Sequence, residues 1–359
     1  MRRVVLGMSG GVDSAVSALL LKRQGYDVIG VFMNNWEEKD EDGVCTSQDD
    51  WEDARSCCDA LGIPCYSVNF SREYMDRVFS RFLDEYRAGR TPNPDVLCNR
   101  EIKFKAFLEY ALKIGAERIA TGHYVRTDGH GRLLRGADAH KDQSYFLHML
   151  KRQQLLLSLF PVGNLSKPEV RMIAAQAGLP VSGKKDSTGV CFIGERHFKR
   201  FLQEYLPAQP GDIVTPEGVR VGEHDGLMFY TIGQRRGLRI GGQGDGRRWF
   251  VADKNLRDNQ LIVVQGEDHP LLYVSDVSLD SLTWVGDPPG PQGTGIPVTA
   301  KLRYRQPDQD ACLTWQTDVA VLRFSKPQRA VTPGQSAALY QGEVCLGGGI
   351  IRGGKGSTA

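Results

Sequence analysis

The chain of 359 residues contains no Cys-x-x-Cys pair. That argues against a zinc ribbon and a thioredoxin-type dithiol. Its eight cysteines are too sparse for a disulfide scaffold, and most buried thiols are inert packing. No stretch approaches 18 uninterrupted apolar residues, so no membrane span is expected. Met1-Arg2-Arg3 leads into Val4-Val5-Leu6, an apolar run far too short for a signal peptide, and the expected location is cytoplasmic. Charge of one sign is also missing: 45 Lys and Arg stand against 43 Asp and Glu, a net of +2. Taken whole, that is not the balance of a nucleic-acid binder.

The average conceals a split. Residues 37–53 hold nine acids against Lys39 alone, a net of −8, so the other residues sum to +10. The acidic stretch matches no catalytic string and is expected to face away from any nucleic acid. Residues 235–257 hold seven basic side chains (Arg235, Arg236, Arg239, Arg247, Arg248, Lys254, Arg257) against Asp245 and Asp253, a net of +5 among several glycines. Such a stretch suits backbone phosphates, or is a solvated loop.

The first two hundred residues read as α/β with a parallel sheet. Val4 to Met8 is a short buried strand, a glycine turn follows, and Val12, Ala15, Val16, Leu19 and Leu20 fall at helical spacing before Gly25. Further strands are expected at 27–33, 64–70 and 117–121, with a helix carrying Ile102, Phe104, Phe107 and Leu108 between the last two. Ser166 and Glu169 form a capping box. From Gly211 the runs are short and β-rich, and from about Leu271 five or six strands without helices suggest a small barrel. Boundaries fall near 206 and 271.

Three strings carry chemistry. Ser9-Gly10-Gly11-Val12-Asp13-Ser14 sits between a strand and a helix, where two glycines, two hydroxyls and the free N–H groups of a helix start make a phosphate cradle. It lacks the Gly-Lys-Ser/Thr of a Walker A loop and the spaced glycines of a dinucleotide binder. Thr91-Pro92-Asn93-Pro94-Asp95-Val96-Leu97-Cys98-Asn99 reads as a stiff loop just ahead of a helix, where Cys98 would have a lowered pKa and Asp95 could act as acid or base. Asp186 to Gly194 places Cys191 between glycines, after Lys184 and Lys185. Singly, either cysteine is more often packing than catalysis.

In this order, the three strings resemble those of the tRNA-specific 2-thiouridylases (MnmA type), members of the PP-loop ATPase superfamily. Thr121-Gly122-His123-Tyr124, Lys141 to Phe146, Tyr230 to Gly237, Arg303 to Gln306 and Pro333 to Ser336 extend the likeness over nearly the whole chain. The resemblance implies a PP-loop (adenine nucleotide alpha hydrolase-like) domain at 1–206, a small β-rich tRNA-contacting domain at 207–270 and a C-terminal β-barrel domain at 271–359. It implies ATP-dependent 2-thiolation of the wobble uridine, position 34, in tRNA for Lys, Glu and Gln. ATP would adenylate the C2 oxygen. A persulfide on Cys191 would then deliver sulfur, and Cys98 would release it by forming a disulfide with Cys191.

The resemblance also assigns roles. Gly7, Met8, Ser9, Gly10, Gly11, Val12, Asp13, Ser14, Met33 and Gly122 would bind ATP, with Asp13 helping to place Mg²⁺. Asn93, Pro94, Asp95, Lys141, Asp142, Gln143, Arg303 and Tyr304 would meet tRNA, Gln143 at a base edge and Tyr304 as a stacking face. His123 and Gln335 match positions linked to tRNA selection. The implied sulfur donor is a cysteine desulfurase or a sulfur-relay protein.

Overall fold

A computed structural model describes residues 2–36, 46–185, 198–241 and 245–355. Cys191 and the acidic residues 37–45 lie outside the described residues. The chain begins with strand β1 (Arg3–Met8), helix α1 (Val12–Arg23), β2 (Asp27–Asn34), α2 (Thr46–Leu61) and β3 (Cys65–Asn69). Two helical rods follow. The first joins α3 (Ser71–Tyr74) to α4 (Ser80–Arg87) through a π-helical stretch, Met75–Phe79. The second joins α5 (Pro94–Cys98) to α6 (Phe107–Lys113) through another, Asn99–Ala106. Next come β4 (Arg118–Ala120), the hairpin β5 (Val125–Thr127) and β6 (Leu133–Arg135), α7 (Ser144–Leu147), α8 (Arg152–Leu156), β7 (Ser158–Leu159) and α9 (Lys167–Gln176).

The first sheet is parallel, in the order β3-β2-β1-β4-β7. Its central strand is buried on both faces. Val5 packs with Val31, Ile119 and Phe107 on one side, while Val4 and Leu6 pack with Val16 and Leu19 on the other. That is why β1 is a continuous apolar run rather than an alternating one.

After α10 (Phe198–Tyr205), strands β8 (Gly211–Val214), β9 (Arg220–His224), β10 (Trp249–Asn255) and β11 (Gln260–Gln265) form a separate sheet. The stretch between β9 and β10 is pinned by Leu238, buried in that sheet's core. A closed antiparallel barrel follows: β12 (Tyr273–Trp284), β15 (Val319–Arg329), β14 (Gln309–Gln316), β13 (Ile296–Lys301), β16 (Ser336–Gln341) and β17 (Val344–Lys355), with β12 pairing back to β17. Leu313, Trp315, Leu322 and Phe324 alternate inward from its strands.

One connection was not legible in the sequence. The β5–β6 hairpin belongs to the barrel's sheet, because Leu133 and Leu134 pair with Cys345 and Val344 of β17. Among the described residues no helix is long and apolar enough to cross a membrane.

Candidate active site

The glycine turn sits at the carboxyl end of the central strand, where open α/β sheets bind ligands. Gly10 takes a left-handed φ of +70°. Gly11 caps α1 with no side-chain hydrogen bond, so the first N–H groups of the helix are left to a ligand. The Ser9 amide donates to Ser14 Oγ at 3.2 Å, and Ser14 Oγ donates to Gly11 O at 3.0 Å. Gly122 stands against the same helix start, since a Cβ there would lie 2.9 Å from the Ser14 nitrogen. Gly7 makes room for Met33, whose Cε would be 3.0 Å from a Cβ. The expected ATP residues therefore converge, and the cradle fits a phosphorylated nucleotide.

Asp13 is engaged by two other side chains of the turn's surroundings. Its carboxylate accepts from Lys167 Nζ through both oxygens, at 2.8 and 2.9 Å, and from the Tyr124 hydroxyl at 2.6 Å. Among the described residues no group of three or more His, Cys, Asp or Glu could hold a metal.

Cys98 is fully buried. It does not follow a loop that ends at the helix start, because the helix begins earlier, at Pro94. Proline suits the first helical position, where its missing N–H costs nothing, and Asn93 is extended ahead of it. Cys98 is therefore the fifth residue of a rod that runs on to Lys113, past the first turn to which the helix-start effect is confined, and that argument for a lowered pKa fails. Gln335 Nε2 donates to the carbonyls of Thr91 and Pro92 at 2.8 and 3.2 Å, and the Thr91 amide donates to Pro333 O at 2.9 Å. From the central sheet, Lys254 Nζ donates to Gly89 O at 2.9 Å. Both β-rich parts thus brace the segment that leads to Cys98.

The expected tRNA residues divide. Asp142 is turned inward, 5% exposed. It accepts from the Gly136 and Ser144 amides and Ser144 Oγ, and faces Arg135 at 3.6 Å and Lys301 at 4.0 Å. Buried and paired, it is a joint between the first domain and the barrel, not an RNA contact. Gln143 Oε1 accepts from the Tyr124 amide at 2.9 Å, so that oxygen is turned inward. Tyr304 packs against Phe146 with ring centroids 4.5 Å apart. Arg303 is exposed, with one nitrogen donating to Ala330 O at 2.6 Å. Lys141 and Asp95 are partly exposed. His123 Nδ1 lies 2.8 Å from Thr121 Oγ1, and burial holds its imidazole neutral, well below the usual range.

Sequence reasoning gave no role to Tyr124, Lys167 or Lys184. A signal existed for Lys167: it occupies the first position of α9, where the helix dipole disfavours a cation. A residue that breaks a local rule marks a functional or strained site.

A parallel α/β sheet with a glycine turn suited to phosphate, joined to two β-rich modules, is the class of architecture the chain presents. Three family models match: tRNA methyl transferase HUP domain at residues 2–195, tRNA methyl transferase PRC-barrel domain at 199–265, and aminomethyltransferase beta-barrel domain at 274–351. The tRNA-specific 2-thiouridylase MnmA of Alkaliphilus oremlandii is 58% identical, over 97% of this chain and 96% of its own. Those of Lacticaseibacillus paracasei (58%, 97% and 94%) and Streptococcus sanguinis (57%, 97% and 95%) are similar. The chain belongs to the tRNA-specific 2-thiouridylase family, and is a sulfurtransferase acting on tRNA uridine.

Proposed function

We propose that the enzyme thiolates C2 of the wobble uridine, position 34, in tRNA for Lys, Glu and Gln. One observation carries the reading: a chain of contacts links the nucleotide turn to the cysteine segment. Tyr124 holds Asp13 by its hydroxyl and Gln143 by its amide. Two residues on, the Tyr145 hydroxyl donates to Ser336 O at 3.0 Å, beside Gln335, whose amide holds the Thr91 and Pro92 carbonyls ahead of α5. The matched motifs thus form one connected unit, as activation and sulfur delivery at one base require.

The cradle at Gly10 to Ser14 binds ATP, with Gly7, Met33 and Gly122 walling the adenine side. Transfer of AMP to the C2 oxygen releases pyrophosphate and makes that oxygen a leaving group. Cys191 carries a persulfide whose terminal sulfur attacks C2 as AMP departs. Cys98 then attacks the inner sulfur, which closes a Cys98–Cys191 disulfide and leaves C2 doubly bonded to sulfur. A thiol reductant restores the pair. Asp95 moves the proton. A cysteine desulfurase or relay protein reloads Cys191. Asn93, Lys141, Arg303 and Tyr304 border the RNA, His123 and Gln335 govern selection, and residues 207–270 contact tRNA between catalytic (1–206) and barrel (271–359) domains. A reducing cytoplasm suits both thiols.

The test is mass spectrometry of tRNA nucleosides after incubation with ATP and a persulfide donor. Wild type yields 2-thiouridine. Cys98→Ser and Cys191→Ser each lower it at least about a hundredfold, a scale usual for a lost nucleophile, while tRNA-dependent exchange of pyrophosphate into ATP persists. Undiminished thiolation in either variant would overturn the persulfide reading.

A further inference from the structure

One side chain outside the glycine turn binds it to two other segments. An ammonium has three N–H donors and no acceptor. Lys184 Nζ directs them to Gly10 O at 3.1 Å, Asp50 Oδ1 at 2.7 Å and Asp53 Oδ2 at 2.5 Å. Asp50 and Asp53 lie on α2 and form the carboxyl end of the acidic stretch. Through Lys184 they are tied to the nucleotide turn. The Lys184 backbone is fixed as well, since its carbonyl accepts from Arg171 at 3.0 Å. Burial works against the ammonium's charge, but the two carboxylates outweigh it and raise the pKa above the usual lysine range.

The contact with Gly10 has a geometric consequence. A trans peptide is a rigid plane in which the C=O of one residue and the N–H of the next point opposite ways, and no peptide among the described residues is cis. Fixing the Gly10 carbonyl therefore fixes the Gly11 N–H, which opens α1. The close approach depends on glycine: at φ +70°, a Cβ on Gly10 would collide with the Asp50 carbonyl oxygen. Lys184 pulls the carbonyl toward α2, and the amide is turned to the opposite side.

We propose that Lys184, anchored by Asp50 and Asp53, is a positioning residue that holds the Gly10–Gly11 peptide with its N–H toward the nucleotide's phosphates. The inference rests on the reading of the turn as an ATP site. It excludes the simpler role of Lys184 as a phosphate ligand in its own right, because all three donors are already engaged.

Equilibrium binding of ATP, inorganic pyrophosphate and adenosine to the full chain tests it. Lys184→Met should weaken ATP and pyrophosphate about tenfold, the scale of one charge-assisted hydrogen bond, with adenosine changed less than about twofold. Asp53→Asn keeps the side chain's shape and should weaken pyrophosphate in the same direction, to a smaller degree. A phosphate-ligand role predicts the opposite sign, since a lysine released from Asp53 would bind pyrophosphate more tightly. Tighter pyrophosphate in Asp53→Asn, ATP bound normally by Lys184→Met, or parallel loss of adenosine and ATP would each overturn the proposal. Wild type that binds no ATP would instead sink the nucleotide reading, and the inference with it.

Discussion

At the residue scale, Asp142 shows how a motif can be seen and its role misjudged. The family resemblance assigns Lys141, Asp142 and Gln143 together to the tRNA. The partners that bury Asp142 are spread along the chain: Arg135 is seven residues back, and Lys301 comes from the barrel. Arg135 also lies 3.7 Å from the Tyr340 ring centroid and reaches Asp308 at 2.6 Å. Local sequence could not reveal that enclosure. Asp142→Asn leaves two cations with less compensating charge and should cost roughly 3 kcal/mol, as broken buried pairs do. Urea unfolding measures that loss, and tRNA affinity of the folded fraction should stay within about twofold. Normal stability with lost tRNA binding would restore Asp142 as a direct contact.

At the scale of elements, what was legible was local. The apolar run of β1, the helical spacing of α1 and the capping box at Ser166 each lie within one short window, and each is found where the pattern puts it. Pairings across long loops were not, such as β6 on β17 or Lys254 of β10 against Gly89. Counting Lys254 among RNA-facing cations ignores where strand β10 docks. Burial there pushes its pKa down to about 8 from 10.5. Below that lower value the lysine is charged in both states, and the folded chain bears the full cost of burying it. Between pH 8 and 10.5 the unfolded chain keeps a proton that the folded chain has lost. Stability should therefore rise with pH across that window, by at most about 1.4 kcal/mol per pH unit. Lys254→Met should flatten the rise. Thermal melts at three or four pH values decide it, and identical slopes in wild type and variant would refute the assignment.

At the scale of the molecule, a net charge of +2 conceals where nucleic acid would be met. Part of the acid is internal to the catalytic domain, since Asp50 and Asp53 are matched to Lys184. Among the basic residues of 235–257, Lys254 is taken up by Gly89, and Arg247 pairs with Asp245 at 2.7 Å. Arg235, Arg236 and Arg248 remain exposed on the central sheet's flank. The same sheet, through Lys254, braces the segment leading to Cys98. RNA bound on that flank would therefore meet a module already touching the segment that leads to Cys98, and the exposed arginines give a near-neutral protein a local electrostatic footprint. Counterion release makes such binding steeply salt-dependent, whatever the total charge. With tRNA, the logarithm of the affinity should fall linearly with the logarithm of salt between about 50 and 200 mM. Arg235→Ala with Arg236→Ala should lower that slope by about one for each phosphate that is no longer neutralised, leaving ATP affinity unchanged. A slope equal to wild type would move the RNA footprint off the central sheet.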